Sequence, residues 1–273
     1  MQNAYQPIFS QAIENMALIP IVMIILLLIL STCSCAAISS SESTIQTEQN
    51  VDGPKYGSQA KRLFQSHNYI STHKALDYWA ISPYYIAQQN ERSCSVASIT
   101  MIVNAARVAK TLTSNEELAT QQSILNRVNS QEWNRQVSSN GIGVTLNQMK
   151  QLVEASLKAF NIQYISVEII HTMDLSEETK QKFHKILIEN ENSSTNFLIA
   201  NFDGSIIFDD VQYGHFAPIA AYDADHSQIL VMDPERQNYE PYWISEDMLL
   251  HAMVTQDPES AQYRGYIWIK IFE

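Results

Sequence analysis

The chain has 273 residues, 45% of them hydrophobic and 10% aromatic, with a formal net charge of −12 at pH 7. That length and composition argue against a disordered or fibrous protein and leave room for one sizeable core. The acidic balance argues against nucleic acid and against an anionic membrane surface as partners.

Residues 17–30 are almost uninterrupted aliphatic sequence. The run is short of the roughly 20 residues of a spanning helix and nearer a signal core of about 7–15. Ser31, Thr32, Ser34, Ala36 and Ala37 follow, as a cleavage region requires; no Lys or Arg precedes the run, and Glu14 does. Leu30-Ser31-Thr32-Cys33 loosely resembles a lipoprotein processing site. The expected layout is a signal or membrane-anchor segment over 1–37, a Ser/Thr/Gln/Glu-rich tether over 38–55, and a folded domain over 56–273. The domain is therefore expected outside the cytosol: exported, periplasmic or membrane-anchored.

Cys33, Cys35 and Cys94 are the three cysteines. Two lie beside the apolar run, so nothing in the folded domain can pair with Cys94 and no disulfide framework is expected. A single C-x-C falls far short of a zinc signature, and no protein-bound metal is expected.

In chain order, Val96, Ile99, Val103 and Ala106 make a helical stripe after Cys94, with Ser93 as N-cap. A second helix is predicted to start at Ser114, with Glu116 and Glu117 in its first turn. Thr145-Leu146-Asn147-Gln148 is a capping-box pattern that leads a helix to about Phe160. The period then changes. Ile165, Val167 and Ile169 alternate as a half-buried strand does. Residues 180–189 read as a helix; 196–201, 214–222, 229–233 and 266–271 read as strands. A helical first half followed by a mostly antiparallel sheet predicts an α+β fold with a cleft between two lobes.

A cysteine acyl-transfer enzyme needs a thiolate, a base, a group to orient the base, and donors for an oxyanion. Cys94 opens a helix, where unpaired N–H groups and the dipole favour thiolate. His215 follows Gly214 and begins an apolar strand. Asp233 ends the next strand, and a hairpin near residues 223–227 would bring the two together. Gln88, six residues before Cys94, can offer its amide to the oxyanion beside the Cys94 N–H. Each also has a plain structural reading: Cys94 as a small buried hydrophobe, His215 as one of seven histidines, Asp233-Pro234 as a turn, Gln88 as a loop residue.

From about Tyr85 to Ile271 the chain resembles the catalytic domain of phytochelatin synthase, a papain-related thiol enzyme family. The likeness rests on Gln88 six before Cys94, the Ser95-Val96-Ala97-Ser98 helix opening and Gly214-His215-Phe216-Ala217-Pro218-Ile219. Asp233 eighteen after His215, Arg236, Tyr239 and Pro241-Tyr242-Trp243 extend it. The resemblance implies a papain-like two-lobe fold and a Cys94–His215–Asp233 triad with Gln88 at the oxyanion. It implies cleavage of the Cys–Gly bond of glutathione through a γ-glutamylcysteinyl thioester. The acyl group would pass to a second glutathione or to water. It assigns Asp257 to the ammonium and Arg264 to the carboxylate of the γ-glutamyl head, with Arg236 and Tyr239 as further substrate-binding candidates.

No tightly bound cofactor is implied. Cd²⁺ or Zn²⁺ would enter as a metal–thiolate complex of the substrate. The partners implied are glutathione and γ-glutamylcysteine peptides, with no nucleic acid and with the membrane reached through the N-terminal segment. A homodimer is one assembly consistent with the sequence. The short, cysteine-poor chain resembles the bacterial branch, in which hydrolysis can outweigh transfer. Rival readings are a papain-like leader-processing protease and a catalytically dead thiol-peptide binding protein.

Overall fold

In the computed structural model, residues 55–109, 111–208 and 212–272 are described. The anchor expected over 1–37 and the tether over 38–55, bar its last residue, lie outside them. No helix among the described residues is long and apolar enough to cross a membrane.

Short helices α1 (Asn68–Thr72) and α2 (Leu76–Ile81) follow a two-residue strand β1 (Lys61–Arg62). Helix α3 runs Cys94–Ala105, and all twelve of its residues are buried. A helix apolar nearly all round belongs inside a protein. Burial of Val96, Ile99, Ile102 and Val103 contributes about 1.5–3 kcal/mol each. Its polar residues are satisfied internally. Thr100 donates to the Val96 carbonyl at 2.7 Å, and Asn104 pairs with both the N–H and the C=O of Ala119 at 2.8 and 2.9 Å. Ser93 sits at the N-cap position without capping, because its hydroxyl bonds to the backbone of Asn90 instead.

The helix predicted from Ser114 is a correction. Helix α4 runs Gln121–Val128, with a Thr120–Ser123 capping box. Asn104 clamps Ala119 just before it, and Arg107 takes both the Glu117 carbonyl and the Glu116 carboxylate, so residues 114–119 serve as a strap. Then come α5 (Gln131–Gln136) and α6 (Leu146–Ala159), the latter with the predicted Thr145–Gln148 capping box.

Strand β2 (Tyr164–His171) carries a register shift between Tyr164 and Ser166, which leaves Ile165 60% exposed in spite of the alternation. The remaining elements are α7 (Glu177–Glu191), β3 (Asn196–Asp203), α8 (Gly204–Phe208), β4 (Gly214–Asp223), β5 (Gln228–Val231), β6 (Tyr242–Ser245), α9 (Glu246–Met253) and β7 (Gly265–Ile271). All strands join one seven-stranded antiparallel sheet, in the order β1-β6-β5-β4-β3-β7-β2.

The protein is thus α+β, and both faces of the sheet are covered. Phe197 and Ile199 of β3 pack toward the core shared with α2 to α6. Leu198, Ala200 and Phe202 pack toward the other core, shared with α7, α8 and α9. Every residue of β3 is buried, as expected of a strand with helices on both sides. The helical first half therefore forms one covering layer, and helices of the second half form the other.

Candidate active site

The site lies where α3 meets the start of β4. Cys94 is the first residue of α3, free and buried. Four residues on, Ser98 donates to the Phe216 carbonyl at 3.0 Å. Residues i and i+4 share a helix face, so this bond fixes the face bearing Cys94 against the part of β4 next to His215. The Cys94 sulfur lies close enough to His215 to act on the imidazole and raise its pKa. At its other edge, His215 Nε2 donates to Asp233 Oδ1 at 2.7 Å. The hairpin explains the approach: β4 and β5 pair antiparallel, and Met232 N–H donates to the Pro218 carbonyl just before Asp233.

Asp233 is fully buried and fully used. Oδ1 also accepts the Glu235 N–H at 2.8 Å, and Oδ2 accepts the Tyr242 hydroxyl at 2.9 Å. Tyr85 donates to its carbonyl at 2.6 Å. Burial alone would raise the Asp233 pKa, but the charge and hydrogen bond of His215, with the Glu235 N–H and the Tyr242 hydroxyl, bring it below the ordinary value. Burial likewise pulls His215 down, yet the Asp233 carboxylate and the Cys94 sulfur hold its pKa well above ordinary. The Asn201 amide donates to the His215 carbonyl at 3.1 Å, and the Phe202 ring stands edge-on to the imidazole.

Gln88 is buried in the loop before α3. Its N–H donates to the Pro234 carbonyl at 2.8 Å, and its Nε2 donates to Glu235 Oε2 at 2.5 Å. The adjoining loop is held by Asn90, whose amide donates to the Val137 carbonyl at 3.0 Å. A cavity of about 430 Å³ opens beside Gln88, lined also by Asn90, Glu91, Ser139, Glu235, Gln237 and Asn238.

Arg264 is buried against the same strand. Its Nη1 donates to Thr255 Oγ1 at 3.1 Å and to the Gln256 carbonyl at 2.7 Å, while Nε is buried without a partner. A Cβ at Gly214 would stand 3.1 Å from its Nη2. A side chain there would press on the guanidinium, which lies against the residue preceding His215. Burial lowers the Arg264 pKa, with Asp203 and Asp257 opposing it. Asp257 accepts from the Glu259 N–H and the Ser260 hydroxyl, both at 3.1 Å.

Arg236 is exposed and lies over the Tyr85 ring, 4.5 Å from its centroid. Tyr239 is a core ring, stacked on Phe208 at 3.9 Å and edge-on to Tyr56 and Tyr242. Among the described residues, no group of three or more His, Cys, Asp or Glu side chains could hold a metal ion.

Tyr242, Tyr85, Asp203 and Glu235 reach these groups without having been assigned a role from the sequence. Tyr242 had a signal, as the first residue of a short aromatic strand eleven residues beyond Val231; Asp203 ends β3 beside Gly214, and Tyr85 and Glu235 meet the site through loops.

Comparison with known proteins now adds to the geometry. The phytochelatin synthase family model matches residues 55–266. Glutathione gamma-glutamylcysteinyltransferase 1 of Arabidopsis thaliana is 29% identical over 94 residues, covering 34% of this chain and 19% of the relative. Glutathione gamma-glutamylcysteinyltransferase 3 of Lotus japonicus is 39% identical over 56 residues, covering 20% of this chain and 12% of the relative. The Schizosaccharomyces pombe glutathione gamma-glutamylcysteinyltransferase is 32% identical over 57 residues, covering 21% and 14%. Each match spans less than a fifth of the curated relative's own length.

Proposed function

The chain belongs to the phytochelatin synthase family, and on that premise we propose that it is a thiol acyltransferase acting on glutathione. The observation that carries this reading is the buried His215–Asp233 hydrogen bond with the Cys94 sulfur acting on the same imidazole. An imidazole held beside the sulfur can take its proton and leave a thiolate–imidazolium pair. The thiolate attacks the carbonyl carbon of the Cys–Gly peptide bond. His215 gives its proton to the departing glycine nitrogen, leaving γ-glutamylcysteine as a thioester on Cys94. A second glutathione amine or a water then attacks that carbonyl as His215 takes the proton back. Asp233 holds the ring in orientation throughout. The oxyanion is met by the Gln88 amide and by the Cys94 N–H, one of the first helical N–H groups that lack an intrahelical carbonyl.

Arg264 takes the carboxylate of the γ-glutamyl head, a role supported by its buried, unpartnered Nε. Asp257 takes the ammonium. Arg236, exposed beside Tyr85, is a substrate contact at the rim; Tyr239 contributes through the aromatic packing beneath Tyr242. The nucleophile helix against a sheet that supplies imidazole and carboxylate supports a papain-like arrangement. Cd²⁺ or Zn²⁺ acts as a thiolate complex of the substrate, and residues 17–30 direct the domain to the envelope.

The test is release of glycine when the purified chain is incubated with glutathione, with and without Cd²⁺. Release by the parent, none above background by Cys94→Ala, and a γ-glutamylcysteinyl adduct on Cys94 by mass spectrometry are expected. Full release by Cys94→Ala, or cleavage of extended peptides but not of glutathione, would reject the assignment. Longer γ-glutamylcysteine chains mark transfer, and the dipeptide alone marks hydrolysis.

A further inference from the structure

The Gln88 carboxamide is half used in an unusual way. Its nitrogen donates to the Glu235 carboxyl group, while its buried oxygen has no hydrogen-bond partner. Glu235 is partly buried, two residues past Asp233, and its own N–H is fixed on Asp233 Oδ1 at 2.8 Å. The Gln88 N–H is in turn fixed on the Pro234 carbonyl at 2.8 Å. Two backbone bonds therefore hold the two side chains edge to edge.

A carboxylic acid and a primary amide can pair through two hydrogen bonds: the amide N–H to the acid C=O, and the acid O–H to the amide C=O. Such a pair uses one amide hydrogen and leaves the other free. It would also supply the partner that Gln88 Oε1 lacks.

We propose that Glu235 is the positioning residue for Gln88, gripping its carboxamide by both edges when it carries a proton and so aiming the remaining N–H at the developing oxyanion. This rests on the oxyanion role given to Gln88 above. The proton matters twice over. An ionised Glu235 can accept from Nε2 but cannot satisfy Oε1, and it sets a negative charge beside an oxygen that is itself becoming negative.

The surroundings shift Glu235 toward the protonated form. Burial raises the Glu235 pKa, with the charges of Asp233 and Glu91 adding to it, against the opposing pull of the His215 imidazolium and the Gln237 N–H. Arg236, the next residue, directs its guanidinium over Tyr85. The other residues lining the adjoining cavity, Asn90, Ser139 and Asn238 among them, are uncharged. The grip is lost as pH rises through the Glu235 pKa, which gives the reaction a basic limb that belongs to this residue.

Two measurements on the full chain test the link. In the first, Glu235→Ala should lower kcat by about tenfold, less than outright loss of an oxyanion donor, with KM changed less than about twofold. Glu235→Gln, which can both accept from and donate to the carboxamide, should recover most of the loss and shed the basic limb. Adding Glu235→Ala to Gln88→Ala should cost nothing further. Glu235→Gln as damaging as Glu235→Ala, or losses that multiply in the double variant, would overturn the proposal.

The second measurement needs no substrate. The side-chain amide NMR resonance of Gln88, identified by its loss in Gln88→Ala, should follow a titration that Glu235→Gln abolishes and Glu91→Gln preserves. Absence of that titration overturns the proposal whatever the substrate. A parent that shows it yet releases no glycine would sink only the glutathione assignment.

Discussion

Asp233 and Arg264 are both buried charges close to β4, and they are treated in opposite ways. Asp233 has each carboxylate oxygen engaged, by His215, the Glu235 N–H and Tyr242. Arg264 has its Nη1 anchored while its Nε is buried without a partner, and carboxylates of Asp203 and Asp257 act on it electrostatically. Buried charge is costly unless paired, so a group saturated from within is a fixed part of the machine. Under the function proposed for Arg264, its missing partner is the substrate carboxylate. On that reading the reaction end, at His215 and Asp233, is organised before substrate binds, and the recognition end, at Arg264, is completed by binding.

The sharpest way to break this contrast is Asp233→Asn. The amide keeps the shape, but its NH₂ cannot accept from His215 Nε2 or Tyr242 as a carboxylate does. kcat should fall by about 10²–10⁴-fold, with KM nearly constant. The same variant has a pH signature in denaturant unfolding. Asp233 is depressed when folded, so its contribution is present above the ordinary carboxylate value and fades as pH falls through its lowered pKa. His215 is raised when folded, so its contribution is full below about 6.5 and fades as pH climbs through the raised value. The stability gap between parent and variant should be widest between those limits; a gap independent of pH would deny the ion pair.

Arg264→Lys tests the other side. An ammonium keeps the charge but cannot reproduce a planar fork. kcat/KM for glutathione should fall by about 10–100-fold, mostly through KM, while alkylation of Cys94 by iodoacetamide proceeds at the parental rate. Slowed alkylation would mean that the two ends are not separate. The smallest effect is expected for Tyr242→Phe, which strips one donor from Asp233 and costs about 1.5–3 kcal/mol in folding stability, read from denaturant midpoints. Its kcat should drop by less than about tenfold, because His215 and the Glu235 N–H remain on the carboxylate.

The reaction end was also the more legible of the two in the sequence. Cys94 opens an apolar helical stripe, and His215 and Asp233 sit at the ends of adjacent apolar strands, so local period and one hairpin suffice to suggest that they meet. The capping box at Thr145 reads directly, because its partners are three residues apart. Long-range pairings gave no such signal. The strap over residues 114–119 looks like a helix start, with Ser114 ahead of Glu116 and Glu117. Asn104 and Arg107, about ten to fifteen residues earlier, pin it instead. Strand β6 has four residues, too few for alternation to declare itself. Helix α9 did carry signals, with Ser245 capping and Glu246 and Asp247 in its first turn. Glu235 reads as one more surface acid until the fold sets it against Gln88.

Gly214 and His215 are consecutive residues of β4, one touching the guanidinium and the other the sulfur and the carboxylate. Neighbouring positions in a strand are separated by about 3.3 Å, so under the proposed function β4 sets the head-group anchor and the imidazole one residue apart. A donor with one methylene more or fewer in its spacer would be held firmly and presented off the mark.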